Sequence, residues 1–94
     1  MKTKIEASRL LTWKSAYESD NEIRNTESAA HAKRFSADAA MQITTDAVQI
    51  FGGYGYSEEY PVARLMRGAK VMQIYEGSSQ VQKMIIGREI TKNF

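Results

Sequence analysis

Apolar residues recur at helical intervals along most of this chain. Ile5, Leu10, Trp13 and Tyr17 mark a stripe over residues 3 to about 19, and Thr3 with Glu6 has capping-box spacing. The polar, turn-prone run of residues 18–25 breaks the pattern, as a short helix-to-helix connection does. Residues 26–51 form the longest periodic stretch, rich in Ala and free of Gly and Pro, which as a helix spans roughly 38 Å. Ala32, Phe35, Ala39, Ile43, Ala47 and Ile50 share one face of it, and Ala29, Ala40, Val48 and Phe51 widen that face. Small Ala side chains admit a neighbouring helix closely, so this element reads as a central helix packed on more than one side. Stripes from so short a chain hardly cover it, which implies that further protein packs there.

The run Gly52-Gly53-Tyr54-Gly55-Tyr56 ends that helix, because glycine supplies the left-handed conformation of a helix end at no steric cost. Helix termination alone explains Gly52 and Gly53; a glycine-bare backbone also lets a ligand approach closely, and both readings stand. The spacing lacks the later glycine and the preceding strand of a dinucleotide-binding fingerprint. Ser57, Glu58, Glu59 and Pro61 signal a new helix start with acids in its first turn. Val62, Leu65, Met66 and Ala69 give that short helix its apolar edge, and Gly68 weakens its end. Residues 71–75 read as a buried irregular link. A last helix begins near Ser78 or Ser79, with Ser79 and Gln82 at capping-box spacing and Val81, Met84, Ile85, Ile86 and Ile90 as a broad apolar face. The expectation is an all-α, antiparallel bundle of four helices.

Composition adds bounds. The chain has 94 residues, enough for one domain with a thin core, and with 43% hydrophobic and 26% charged residues it is globular in type. Net charge is +2 with the basic residues spread along the chain, so no nucleic-acid footprint is supported, although the isoelectric point is near 9.0. There is no Cys and one His, which removes thiolate chemistry and argues against a metal site. No run approaches the ~18 apolar residues of a membrane span, and residues 1–6 carry no targeting pattern. His31 and the Arg64/Arg67 pair fit surface or packing roles.

The stretch Gln73-Ile74-Tyr75-Glu76-Gly77-Ser78-Ser79-Gln80 carries the candidate chemistry. A carboxylate just before a helix start meets the positive end of the helix dipole, which favours the ionised form, while burial against Ile74 and Tyr75 opposes it. Such opposition is how a general base is tuned. The unpaired N–H groups from Gly77 to Gln80, with the Ser78 and Ser79 hydroxyls, suit a phosphate or other anion. From spacing alone, an exposed acid stabilising a helix start is the better explanation of Glu76.

Two blocks, DAVQIFGGYGYSEEYPVARLMR at 46–67 and AKVMQIYEGSSQVQ at 69–82, closely resemble the C-terminal signature of the acyl-CoA dehydrogenases. The similarity extends weakly back through Arg24-Asn25-Thr26 and Ala32-Lys33 to the first helix. The resemblance implies a flavoenzyme whose N-terminal helical domain and middle β-domain are not in these 94 residues, leaving the C-terminal helical domain. It implies removal of hydrogens from Cα and Cβ of an acyl-CoA thioester to give the trans-2-enoyl product in fatty-acid β-oxidation. Glu76 is then the base that takes the α-proton, its N–H helping to polarise the thioester carbonyl. Gly77 contacts substrate, Tyr75 lines the acyl cavity, and Ser78, Ser79 and Gln80 contact FAD. Gln49, Ile50, Phe51, Gly52 and Gly53 bind the FAD of a neighbouring subunit in a dimer or tetramer. The implied electron acceptor is an electron-transferring flavoprotein, and the implied compartment is the bacterial cytoplasm or the mitochondrial matrix.

Two departures stand out. Ser78 replaces the usual Thr, keeping the hydroxyl, and Gly68 stands where the family usually has Asp. On this reading the isolated chain is inactive, since much of the flavin- and CoA-binding surface lies elsewhere. A non-catalytic helical interaction or oligomerisation module derived from the family is the alternative.

Overall fold

The computed structural model describes residues 1–92, and all regular structure among them is helical: α1 (Lys2–Asp20), α2 (Thr26–Phe51), α3 (Gly53–Tyr56), α4 (Pro61–Met72) and α5 (Ser79–Thr91). The four expected helices are present, and α3 adds one short turn. α2 is the spine: α1, α3, α4 and α5 all pack on it, and of these only α3 and α4 also touch each other.

Local chemistry explains the boundaries. α2 runs uninterrupted because nothing between Thr26 and Phe51 breaks it, and the Thr44 and Thr45 hydroxyls donate to carbonyls one turn back, at 2.7 Å to Ala40 and 2.7 Å to Met41. It stops at Gly52, whose φ of 63° is left-handed. Pro61 opens α4 at the position where a missing N–H costs nothing. Glu58 and Glu59 precede that helix rather than entering its first turn; Ser57 Oγ accepts from the Glu59 N–H at 3.3 Å and holds them in a turn. The Thr3–Glu6 capping box does not form either. α1 already starts at Lys2, and Glu6 pairs with Arg9 at 2.9 Å.

Packing differs more from expectation than the element order does. On α1 the stripe Ile5, Leu10, Trp13 and Tyr17 faces outward, and the half-buried residues are Lys4, Glu6, Ala7, Ser8, Leu11, Ser15 and Glu18. These small and polar side chains let α1 lie close to α2, with Lys4 Nζ donating to Gln42 Oε1 and Asn25 Nδ2 donating to the Ser15 carbonyl at 3.3 Å. α5 likewise buries Gln82 and Glu89 and half-buries Ile85 and Ile86, while Val81, Met84 and Ile90 are exposed. Glu89 pairs with Arg24 at 2.6 Å and Lys92 at 3.3 Å, tying α5 to the α1–α2 connection.

The buried apolar side chains are all alanines: Ala30, Ala32, Ala37 and Ala39 of α2, with Ala63 and Ala69 of α4. Burying a methyl-sized group contributes about 0.8 kcal/mol, against about 1.5–3 for a Leu or Phe, so this core is thin. The chain exposes 6737 Å², whereas an independent monomer of its mass exposes about 5,500 Å². Its radius of gyration is 15.5 Å and its extents are 50 × 23 × 19 Å, against about 13 Å expected for the radius of a compact domain of 100 residues. An excess of about 1,200 Å² is of the order of a stable protein interface. α2 is packed on more than one side, as its Ala pattern predicts, and the apolar faces of α1 and α5 are exposed.

Candidate functional site

The loop at residues 73–78 joins α4 to α5. α4 continues through Gly68 to Met72, so Gly68 lies inside the helix, not at its end, and Val71 and Met72 belong to the last turn. That turn closes with the Ile74 and Tyr75 N–H groups donating to Val71 O at 2.9 and 3.1 Å. Glu76 then adopts φ 51° and Gly77 φ 88°, two successive left-handed residues that reverse the chain into α5. The φ of Gly77 favours glycine, and a Cβ there would lie 2.3 Å from Gln82 Nε2, so the Gln82 amide would have to move aside.

α5 is capped one residue earlier than the Ser79–Gln82 spacing suggests. Ser78 Oγ accepts from the Val81 N–H at 3.2 Å, and the Gln82 side chain donates to the Gly77 carbonyl at 3.3 Å. Ser79 is thereby released for another task. Its N–H donates to the Gln73 carbonyl at 3.0 Å, closing the loop, and its hydroxyl donates to Asp38 Oδ1 at 2.7 Å. Gln73 Nε2 reaches the same Oδ1 at 2.8 Å. Burial works to raise the Asp38 proton affinity. The hydrogen bonds from Ser79 and Gln73, with the Arg34 and Lys83 charges, outweigh it and hold the carboxyl below its ordinary value. On the other flank Lys33 donates to the Met72 carbonyl and lies 5.1 Å from the Tyr75 ring centroid.

Ile74, Tyr75 and Glu76 are exposed, at 61% for Ile74 and 49% for Tyr75, which corrects the expected burial of this link. Both residues follow the end of α4 in the loop, and Tyr75 keeps only a one-sided contact, with the Lys33 ammonium of α2 over its ring. Beside the loop runs an open groove of about 470 Å³, lined by Asp38, Lys70, Gln73, Ile74, Ser78, Ser79, Gln80 and Lys83. It combines the start of α5, the Ser78 hydroxyl and two lysines with the Asp38 carboxylate, to which the Ser79 hydroxyl is already bonded; helix start and lysines are groups suited to an anion such as a phosphate.

The second expected block lies elsewhere. Gln49, Ile50, Phe51, Gly52 and Gly53 form the exposed far end of α2, and Ile50 is 74% exposed. Phe51 is thirteen residues, or about 20 Å of helix, from Asp38, so one chain does not bring the two blocks together. There the Tyr60 ring packs 6.4 Å from Phe51 and 5.9 Å from Tyr54, centroid to centroid. Sequence reasoning missed Asp38 altogether, and it named Gln73 and Lys33 without a role at the loop. The available signal was a lone acid in the run Ser36-Ala37-Asp38-Ala39-Ala40, on the face of a helix otherwise built from small side chains. Among the described residues no group of His, Asp and Glu is placed to hold a metal ion, and no helix is long and apolar enough to cross a membrane.

The fold is thus an all-helical domain that sets an acid on a left-handed turn just before the N-terminus of α5, with Lys70 and Lys83 beside it. Residues 1–91 match the family described as acyl-CoA dehydrogenase, C-terminal domain, and the chain belongs to that family. It is 59% identical over 87 residues to the short-chain-specific acyl-CoA dehydrogenase of Megasphaera elsdenii, covering 93% of this chain and 23% of that protein. It is 56% identical over 90 residues to the cyclohexane-1-carbonyl-CoA dehydrogenase of Geobacter metallireducens, covering 96% and 24%. The fold superimposes on the butyryl-CoA dehydrogenase structure from M. elsdenii with a TM-score of 0.93 at 57% identity, covering 96% of this chain and 24% of that one. It superimposes on a chain in the structure of the electron transferring flavoprotein of Acidaminococcus fermentans with a TM-score of 0.95 at 50% identity, covering 98% and 24%. The chain thus spans about a quarter of the length of these relatives.

Proposed function

We propose that this chain supplies the catalytic-base corner of a flavin-dependent acyl-CoA dehydrogenase that converts an acyl-CoA thioester to the trans-2-enoyl product. The observation that carries this is the placement of Glu76 on a loop closed at both ends, immediately before α5 and beside the groove of donors. Bound FAD would supply the hydride acceptor for the Cβ hydrogen. Glu76 accepts the α-proton, and its own N–H polarises the thioester carbonyl. Gly77 leaves room for substrate against the loop, and Tyr75 offers an apolar wall. The groove fits the cofactor's phosphates: Ser78, Ser79 and Gln80 would hold it from the start of α5, with Lys70 and Lys83 providing charge.

Gln49, Ile50, Phe51, Gly52 and Gly53 would contact the FAD of a neighbouring copy, in keeping with their separation from the Glu76 loop. Assembly into a dimer or tetramer would also cover the outward stripes of α1 and α5. The partners on this reading are an acyl-CoA, further copies of the chain and an electron-transferring flavoprotein, in the bacterial cytoplasm or mitochondrial matrix. By itself the chain is inactive.

The surface excess favours a second reading, in which the chain is an oligomerisation module and Glu76 a relic. Placing residues 1–94 in the M. elsdenii enzyme in exchange for the matching segment separates the two. The dehydrogenase reading expects the hybrid to retain stoichiometric FAD and turn over butyryl-CoA; a soluble, assembled hybrid without flavin supports the module.

A further inference from the structure

Glu76 lies three residues from Gln73 and three from Ser79, and both of those side chains end on one oxygen. Asp38 Oδ1 accepts from Gln73 Nε2 at 2.8 Å and from Ser79 Oγ at 2.7 Å, while the Ser79 N–H donates to the Gln73 carbonyl at 3.0 Å. The two ends of the Glu76 loop are thus tied to each other and, through one carboxylate, to the central helix. Asp38 sits among Ala37, Ala39 and Ala40 on α2, and its half-buried carboxylate, at the edge of the groove, is held in place by these hydrogen bonds.

We propose that Asp38 is a positioning residue for Glu76, clamping both ends of the loop so that the Glu76 carboxylate and N–H keep one orientation toward the substrate. The proposal rests on the assignment of Glu76 as the base. A left-handed φ of 51° is strained for a residue with a Cβ and persists only where its surroundings over-determine it. Within the loop, Gln82 holds Gly77 and Ser78 caps α5, yet neither contact reaches the α4 side. Asp38 joins the two sides. Its hydrogen bonds are charge-assisted and roughly twice as strong as neutral ones, and Arg34 at 3.8 Å steadies its other oxygen. Released from the clamp, Glu76 can relax to negative φ, which re-aims its side chain and its N–H together. A misplacement of about 1 Å in a reacting group can cost about 100-fold in rate.

The test uses the FAD-loaded hybrid with butyryl-CoA, following kcat, KM and α-proton exchange with solvent deuterium. Asp38→Ala is expected to lower kcat and exchange by about 10- to 100-fold, with KM and flavin content changed by less than about threefold. Asp38→Asn keeps an Oδ1 acceptor for both donors and is expected to recover most of the loss. Should Asp38→Ala fail to hold flavin, Gln73→Ala removes one arm of the clamp and is expected to cost about 3- to 10-fold in kcat. Full kcat per flavin in Asp38→Ala, or in Gln73→Ala where Asp38→Ala does not fold, overturns the proposal even if thermal stability falls. Glu76→Gln in the same hybrid separates the two claims. Normal turnover there overturns the base and this proposal with it, whereas lost turnover there beside full turnover in Asp38→Ala overturns the clamp alone.

Discussion

Gly77 and Gln82 hold each other in place across the start of α5. The Gln82 amide donates to the Gly77 carbonyl at 3.3 Å, and the same nitrogen occupies the space where a side chain on residue 77 would begin, 2.3 Å from an ideal Cβ. Gly77→Ala therefore meets both a left-handed φ and a clash, and is expected to destabilise the hybrid by about 1–3 kcal/mol in thermal unfolding. Adding Gln82→Ala removes the clash but not the strain. The double variant is expected to be less costly than the sum of the single changes; strict additivity would show that the contact is unimportant.

The helix boundaries were largely legible in the sequence, because they rest on local chemistry: no breaker in residues 26–51, Gly52 after them, Pro61 at the next start. The facing of α1 and α5 was not. Apolar periodicity marks a surface that avoids water without saying whether this chain or another covers it, and here the stripe with Trp13 and Tyr17 looks outward while Ser8, Leu11 and Ser15 meet α2. The same ambiguity made residues 71–75 read as buried. Glu76 stands out in the sequence by its place before a helix start, but the Asp38 clamp arises from contacts across 35 and 41 residues, which spacing does not reveal.

Gly68 lies in the interior of α4 with no atom within 4 Å of an added Cβ. Gly68→Ala is expected to stabilise the protein by about 0.5–1 kcal/mol, through helix propensity and a less flexible unfolded chain. Chemical denaturation of parent and variant checks this, and a loss of stability would indicate that a neighbour in the assembled protein occupies that space.

Glu89 is buried with Arg24 on one oxygen and Lys92 on the other. Removing Arg24 leaves a carboxylate with one remaining cation in a largely dry position. Because Arg24 itself is 62% exposed, the cost of Arg24→Ala is expected to be modest, about 1–2 kcal/mol. Glu89→Ala removes the buried charge together with its partners' anchor, and double-mutant unfolding measures the coupling between the pair.

Asp38 also sets an acid limit. Its folded-state affinity for protons is lowered, so between the folded and unfolded titrations the unfolded chain binds more protons and stability rises with pH. The Asp38 contribution is present in full above the unfolded value of about 3.9 and fades as pH falls through the lower folded value. The stability gap between parent and Asp38→Asn is therefore expected to be constant from about pH 7 to 5 and to narrow below about pH 4. Arg34 on α2 and Lys83 on α5 supply the charges that act on this carboxylate. A gap that widens on acidification would contradict the sign.

The central claim is that Glu76 takes the α-proton, and proton exchange reads it without requiring net turnover. In the FAD-loaded hybrid, Glu76→Gln preserves size and hydrogen bonding while removing the base. The predicted result is loss of butyryl-CoA α-proton exchange by about 100- to 10,000-fold with flavin still bound. Exchange at the parent rate in Glu76→Gln would contradict the account.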